Sequence, residues 1–250
     1  MPRTSHYRSN ALSRSQVAAG IAAHDYAKAI GCPLNLTMDI HWAWTRFANE
    51  GIWSRRKAVP TLLESQRHWL ANHGVGFFSI LTREAPPPSH EGEHAHQLVH
   101  VPPHLRDDFL QHTRDFLRGN KRHQKKALVW DVPYNDGKLA YILKGCTLPA
   151  RKLLAAMFET DHERSGFLEG TRNKTNQGVI YGKRLLISQG LGPKAQLSVA
   201  HASNDNPKRR NPQPDGQYEG TAHALPWAEP KAGTGRIGPK AQLTGPFWAT

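Results

Sequence analysis

The run Glu93-His94-Ala95-His96-Gln97-Leu98-Val99-His100-Val101 alternates imidazoles with other side chains and is closed by Pro102-Pro103. It reads as a β-strand, on which residues two apart share a face, so His94, His96 and His100 point the same way with Leu98 between them. Two imidazoles so spaced are preset for one metal ion. His100 lies about 13 Å beyond His96 at about 3.3 Å per residue, too far to join them unless the strand bends. A carboxylate is available upstream, where Glu84 ends a strongly hydrophobic run and is separated from the histidines by a turn-rich stretch containing Pro86-Pro87-Pro88. Glu84, His94 and His96 make a mixed nitrogen and oxygen donor set suited to Mg²⁺ or Mn²⁺ and attractive to Zn²⁺. His90, Glu91 and Glu93 lie nearby and compete as ligands.

The second reactive candidate is Leu139-Ala140-Tyr141-Ile142-Leu143-Lys144-Gly145. In a helix Tyr141 and Lys144 are neighbours on one face, while Leu139, Ile142 and Leu143 can bury against a sheet. A phenol with a pKa of about 10 is a poor nucleophile at neutral pH, so its attack on phosphorus needs a nearby cation or metal to favour the phenolate. Lys144 is also suited to hold a phosphate oxygen.

The elements that must position these groups can be read in order. Leu34 to Ile40 alternates, with Leu34, Leu36, Met38 and Ile40 on one face of a strand. Helical patterning follows in Trp44 to Trp53 and again in Val59 to Asn72, where Leu62, Leu63, Gln66, Trp69 and Leu70 share a side and Gly74 supplies the stop. Val75 to Thr82 is a second strand and Glu93 to Val101 a third. His104 to Leu117 is an amphipathic helix, Asn120 to Lys126 a basic loop, and Ala127 to Val132 a fourth strand. Asn135-Asp136-Gly137 then caps a short helix, Lys138 to Lys144, stopped by Gly145. Strands and helices in this order define an α+β core over residues 31–150.

Residues 1–30 form a lead-in with one helix over Ser15 to Ile30, and residues 151–200 a basic extension with a helical patch at Ala150 to Glu159. Residues 201–250, rich in Pro, Gly, Asn and Ala, bury too little apolar surface to offset chain entropy and are expected to be a flexible tail. Gly192-Pro193-Lys194-Ala195-Gln196-Leu197 recurs as Gly238-Pro239-Lys240-Ala241-Gln242-Leu243, two copies that do not make a solenoid. The chain carries 33 Lys plus Arg against 20 Asp plus Glu, a formal +13, which calls for a polyanionic partner. No apolar run approaches the roughly 18–20 residues that span a bilayer and no signal-peptide core is present, so a cytoplasmic, nucleic-acid-binding protein is expected rather than a membrane protein. Cys32 and Cys146 form no CxxC or Cys-His spacing and read as ordinary thiols.

A Thr-bearing apolar strand (Leu34-Asn35-Leu36-Thr37), then the flanked His94 and His96, then Tyr141 and Lys144, in that order, resembles the HUH endonucleases, which comprise rolling-circle replication initiators, conjugative relaxases and single-tyrosine transposases. The similarity is closest to the single-tyrosine replication initiators and covers about residues 33–145. It implies a ferredoxin-like palm, a central antiparallel sheet flanked by helices, with the paired histidines on a central strand and the tyrosine on a helix beside it. It further implies metal held by His94 and His96 with Glu84 as third ligand, Tyr141 as nucleophile and Lys144 as its helper. The product would be a 5′-phosphotyrosine link to single-stranded DNA with a free 3′ hydroxyl. Tyr134, just behind Pro133, departs from the paired-tyrosine pattern and suits a structural or stacking role. No GxxxxGK[ST] is present, so unwinding falls to a host helicase, with a host polymerase to follow. A relaxase or transposase is the near alternative, and a non-catalytic nucleic-acid-binding protein on a degenerate version of the fold the distant one.

Basic segments complete the expectation. Arg55, Arg56 and Lys57, then Lys121, Arg122, Lys125 and Lys126, and finally Lys183 and Arg184 are candidates for phosphate contacts, with Trp42, Trp44, Trp53 and Tyr181 available for base stacking.

Overall fold

Alternation along Leu36-Thr37-Met38-Asp39-Ile40-His41 forces a strand with one apolar and one mostly polar face, and in the computed structural model these residues form β2 (Leu36–His41). The structure describes residues 8–48, 52–85, 92–118, 124–133, 137–171 and 178–204, with backbone alone for 52–56, 124 and 199–204. β2 lies between β5 (Leu128–Asp131) and β4 (His94–Val99). β4 pairs in turn with β3 (Ser79–Glu84), whose outer edge carries β7 (Leu185–Ile187). All pairings are antiparallel, giving one five-stranded sheet in the order β5-β2-β4-β3-β7. The fold is α+β.

The pleat divides the interior in two. On one face Leu36, Met38, Ile40, Leu81, Ala95 and Val99 pack against α2 (Ile52–Asn72) and α3 (Arg106–Leu117). Gln66, expected on the inward side of its helix, is buried there and satisfied: it accepts from Gln97 at 2.8 Å, and Gln97 also donates to Ser79 at 2.9 Å. On the other face Leu98 and Ile80 pack against α1 (Arg14–Ala29), α5 (Gly137–Ile142) and α6 (Leu148–Ala155). α2 closes at Gly74 (φ 71°), with Val75 N–H bonded to the Leu70 carbonyl and Gly74 N–H to that of Ala71, a Schellman end.

Several boundaries differ from those read in the sequence. β3 begins at Ser79 rather than Val75, because its partner β4 ends at Val99, level with Ser79, and Pro102-Pro103 beyond it has no N–H to extend the ladder. The helix expected from Trp44 is instead a 3-10 turn at Trp42–Trp44: the Thr45 hydroxyl bonds back to the Trp42 carbonyl and accepts from Phe47 N–H, competing with helical bonding. Gln124–Ala127, read as the end of a basic loop and the first residue of a strand, is a single helical turn, α4.

The segment after residue 150 supplies structure to the sheet. α6 packs on α1, α7 (Asp161–Gly170) follows behind a Thr160/Glu163 capping box, and β6 (Ile180–Tyr181) pairs with β1 (Arg8–Ser9). β7 then adds the fifth strand, and α8 (Pro193–Asn204) contains most of the first Gly-Pro-Lys repeat. The second repeat lies outside the described residues, as does most of the expected tail. Cys32 and Cys146 are free thiols. Among the described residues no helix is long and apolar enough to cross a membrane.

Arg184, expected to meet phosphates, is 1% exposed. Its guanidinium donates to the carbonyls of Arg83 (3.0 Å), Ser9 (2.8 Å) and Gly178 (2.5 Å), tying β1, β3 and the approach to β6 to the start of β7. The reason is geometric: a planar fork of five N–H donors satisfies several converging carbonyls at once. Replacing Arg184 by Met should therefore lower folding stability by about 3 kcal/mol or more, since buried carbonyls lose their donors. Lys183→Ala, next to it but exposed, should stay within about 0.5 kcal/mol of wild type in the same urea titration.

Candidate functional site

Antiparallel register sets the site. Across the sheet face that bears α5, Asp39, His96 and Thr82 stand in one row, and His41, His94 and Glu84 in the next. A third row, Thr37, Leu98 and Ile80, continues into the apolar cluster under α1 and α5. The site thus occupies the same sheet face beside the apolar cluster, at the His41 and Glu84 end.

Nε2 of His94 and Nε2 of His96 each lie 3.3 Å from the same Glu84 oxygen, Oε2. One ligand atom from each of the three residues lies within 4.8 Å of the others. Ligands about 2.0–2.2 Å from a shared ion stand about 3–3.5 Å apart, so this donor set fits a single metal ion. His94 is half-buried, and Glu84 and His96 are buried.

Asp39 orients the set. Its carboxylate bonds Nδ1 of His96 at 2.5 Å, which leaves Nε2 turned toward Glu84. A carboxylate behind a ligating imidazole fixes its tautomer and raises its basicity. Asp39 went unnoticed as a functional residue in the sequence, although its place in the polar phase of β2, between Thr37 and His41, is readable there. His41 stacks on His94, with ring centroids 5.6 Å apart.

Tyr141 and Lys144 reach the same place from α5 and the turn after it. The Thr82 hydroxyl donates to the Ile142 carbonyl at 2.8 Å, docking the end of α5 on β3 in the same row as His96. The Tyr141 ring meets His96 edge-on, with centroids 5.3 Å apart, and remains 36% exposed. Lys144 is buried, with Nζ 3.1 and 3.2 Å from the two Glu84 oxygens, 3.5 Å from His96 Nε2, and 3.9 Å from the centre of the Tyr141 ring.

Burial and charge compete at each group. Burial would raise the Glu84 carboxyl, but hydrogen bonds from His94 and His96 and the Lys144 charge outweigh it and hold it far below the ordinary range. Asp39 is held down in the same way, its burial overcome by His96. His96 goes up: desolvation opposes the charge, but the bonds to Asp39 and Glu84 prevail. Tyr141 is pushed up to about 12, by burial first and then by the charges of Asp39 and Glu84. Its phenol is therefore a weaker acid than tyrosine in water until positive charge is brought to its oxygen.

The remaining candidates separate clearly. Glu93, a competing ligand in the sequence, is committed to a buried ion pair with Arg83 on the opposite face. His100 bonds the Pro33 carbonyl through Nδ1 at 2.8 Å and stays out of the group. His90, Glu91 and Tyr134 lie outside the described residues, as do Lys121 and Arg122. Lys57, Lys125, Lys126 and Lys183 are exposed, whereas Arg184 is interior, and only the backbone is described for Arg55, Arg56 and Trp53. Trp42 is fully buried in the core, Trp44 is exposed and Tyr181 half-buried.

No family model matches the chain, and comparison with curated proteins and with solved structures likewise gives no match.

Titration calorimetry tests the donor set. Wild-type protein should take up about one equivalent of Mn²⁺ or Zn²⁺, and Glu84→Ala or His96→Ala should abolish tight uptake. Asp39→Asn, which keeps shape but removes the charge behind His96, should weaken affinity by about 10–100-fold.

Proposed function

We propose that this protein nicks single-stranded DNA as a metal-dependent, tyrosine-utilising endonuclease of the HUH replication-initiator type. The observation that carries the reading is the edge-on contact of the Tyr141 ring with His96, which brings a partly exposed phenol to the border of the Glu84, His94 and His96 cluster. The net charge of +13 supports a polyanionic substrate. The α+β architecture with the paired histidines on the central strand β4 agrees with what the resemblance implies.

Mg²⁺ or Mn²⁺ held by Glu84, His94 and His96 would supply positive charge to the non-bridging oxygens of the scissile phosphate. The Tyr141 oxygen attacks phosphorus, the bond from phosphorus to the 3′ oxygen breaks, and the phenol's proton ends on the released 3′ hydroxyl. The 5′ phosphate stays esterified to Tyr141, which keeps the phosphodiester free energy available for rejoining. Lys144 holds both Glu84 oxygens and lies over the Tyr141 ring, so it keeps the carboxylate oriented and sets a cation against the face of the ring. Asp39 acts through His96, and Thr82 acts through α5, as positioning residues. Strand unwinding and synthesis would come from a host helicase and polymerase.

The test is a covalent adduct. Wild-type protein incubated with a single-stranded oligonucleotide library and Mn²⁺ should give a species of reduced mobility on a denaturing gel, lost with Tyr141→Phe and with chelator. Lys144→Met should slow its formation by about 10²-fold or more, in the range typical of groups that assist proton transfer or charge development. Wild type without an adduct, or an adduct persisting in Tyr141→Phe, overturns the assignment.

A further inference from the structure

We propose that single-stranded DNA lies across the strands along the outer flank of α5, with one base stacked on Trp44 and phosphates met by Lys126 at one end and Lys183 at the other. The inference rests on the nicking reading for its ligand, but it is carried by residues outside the catalytic cluster.

α5 itself crosses the sheet. Lys138 at its start pairs with Asp131 of β5 at 3.0 Å, Tyr141 lies against His96 of β4, and the Ile142 carbonyl accepts from Thr82 of β3. One flank of the helix is sealed by apolar packing with Leu98 and Ile80. The other borders the site, and the row His41, His94, Glu84 runs beside it from β2 to β3.

At the β5 edge the two directions differ. Toward Thr37, the pair Asp131 and Lys138 bridges strand to helix. Toward the site, Val129 stands in register with Asp39 and is 49% exposed, an apolar floor open to solvent. The open route therefore leaves the site past Val129.

At that same end of the sheet, where His41 closes β2 and Leu128 opens β5, stand the turn after β2 and α4. Trp44 is 37% exposed, and Lys126 Nζ sits 5.1 Å from the centre of its ring. An exposed indole beside an ammonium offers a π-face for a base and a cation for the adjoining phosphate, the pairing that tracks single strands without regard to sequence. At the opposite edge the bond from Arg83 N–H to the Arg184 carbonyl continues the β3–β7 ladder past the Thr82–Leu185 pair, which brings exposed Lys183 level with Glu84. From β5 to β7 the five strands span about 19 Å at about 4.8 Å per spacing, enough for a short extended stretch of DNA centred on the cluster.

The experiment uses the full chain carrying Tyr141→Phe, in EDTA, with binding of a labelled oligodeoxythymidylate followed by fluorescence anisotropy. Trp44→Ala should weaken binding by about 5- to 100-fold, while Trp44→Phe, which keeps a ring, should stay within about threefold. Lys126→Ala and Lys183→Ala should each reduce the slope of log affinity against log salt by about 0.7, and Lys152→Ala on α6 should leave it unchanged. Unfolding midpoints of the variants separate loss of the surface from loss of the fold. Undiminished binding by folded Trp44→Ala, or an unaltered salt slope in both lysine variants, overturns the proposal. Adduct formation by wild type together with either of those results would sink the DNA path alone. Weakened binding by the platform variants without any wild-type adduct would sink the nicking reading and leave the path standing.

Discussion

The register between β2, β4 and β3 is the constraint on which the rest of the site depends. Side chains in a sheet repeat every two residues, so a slip of one between β4 and either neighbour would send Asp39 or Glu84 to the face covered by α2 and α3. The apolar set on that face, Leu36, Met38, Ile40, Leu81, Ala95 and Val99, forbids the slip, because it would carry the polar phase into the core. The hydrophobic effect thus sets the row of Asp39, His96 and Thr82, and the hydrogen bond between His96 and Asp39 forms within it.

Around that row, charge is concentrated where water is scarce. Asp39, Glu84, His96 and Lys144 form an alternating chain of acids and bases, each compensating the desolvation of its neighbour. Buried ionic clusters of this kind contribute little net stability compared with apolar residues of the same volume. Removing a single member is nevertheless costly, since it strands a charge. A cluster that adds little to folding and tolerates no partial loss is the kind of arrangement that marks a candidate functional site.

Much of this was legible in the chain. The alternation of β2 and β4 and the stop at Gly74 were visible as local patterns, as was the amphipathic face of α3. So were Glu84, His94 and His96, which the strands bring together. The roles of Asp39 and Thr82 were hidden because they depend on pairing across strands distant in sequence, which no local period encodes. Arg184 misled for the opposite reason: an arginine next to a lysine looks solvated, and its burial appears only once Ser9, Gly178 and Arg83 converge on it. β7 escaped notice because a strand running Leu185–Ile187 is too short to declare a period.

The Arg184 junction also bears on the order in which the chain assembles. It joins residues 175 positions apart, and the strand it introduces covers the outer edge of β3. Until residue 187 leaves the ribosome, that edge presents unpaired N–H and C=O groups to the surroundings, and β1 waits without β6. The other four strands can assemble earlier, but closure of the sheet is a late event of high contact order. A nascent chain paused before this point would expose a sticky border, so chaperone demand during synthesis should concentrate on the interval between completion of β5 and emergence of β7.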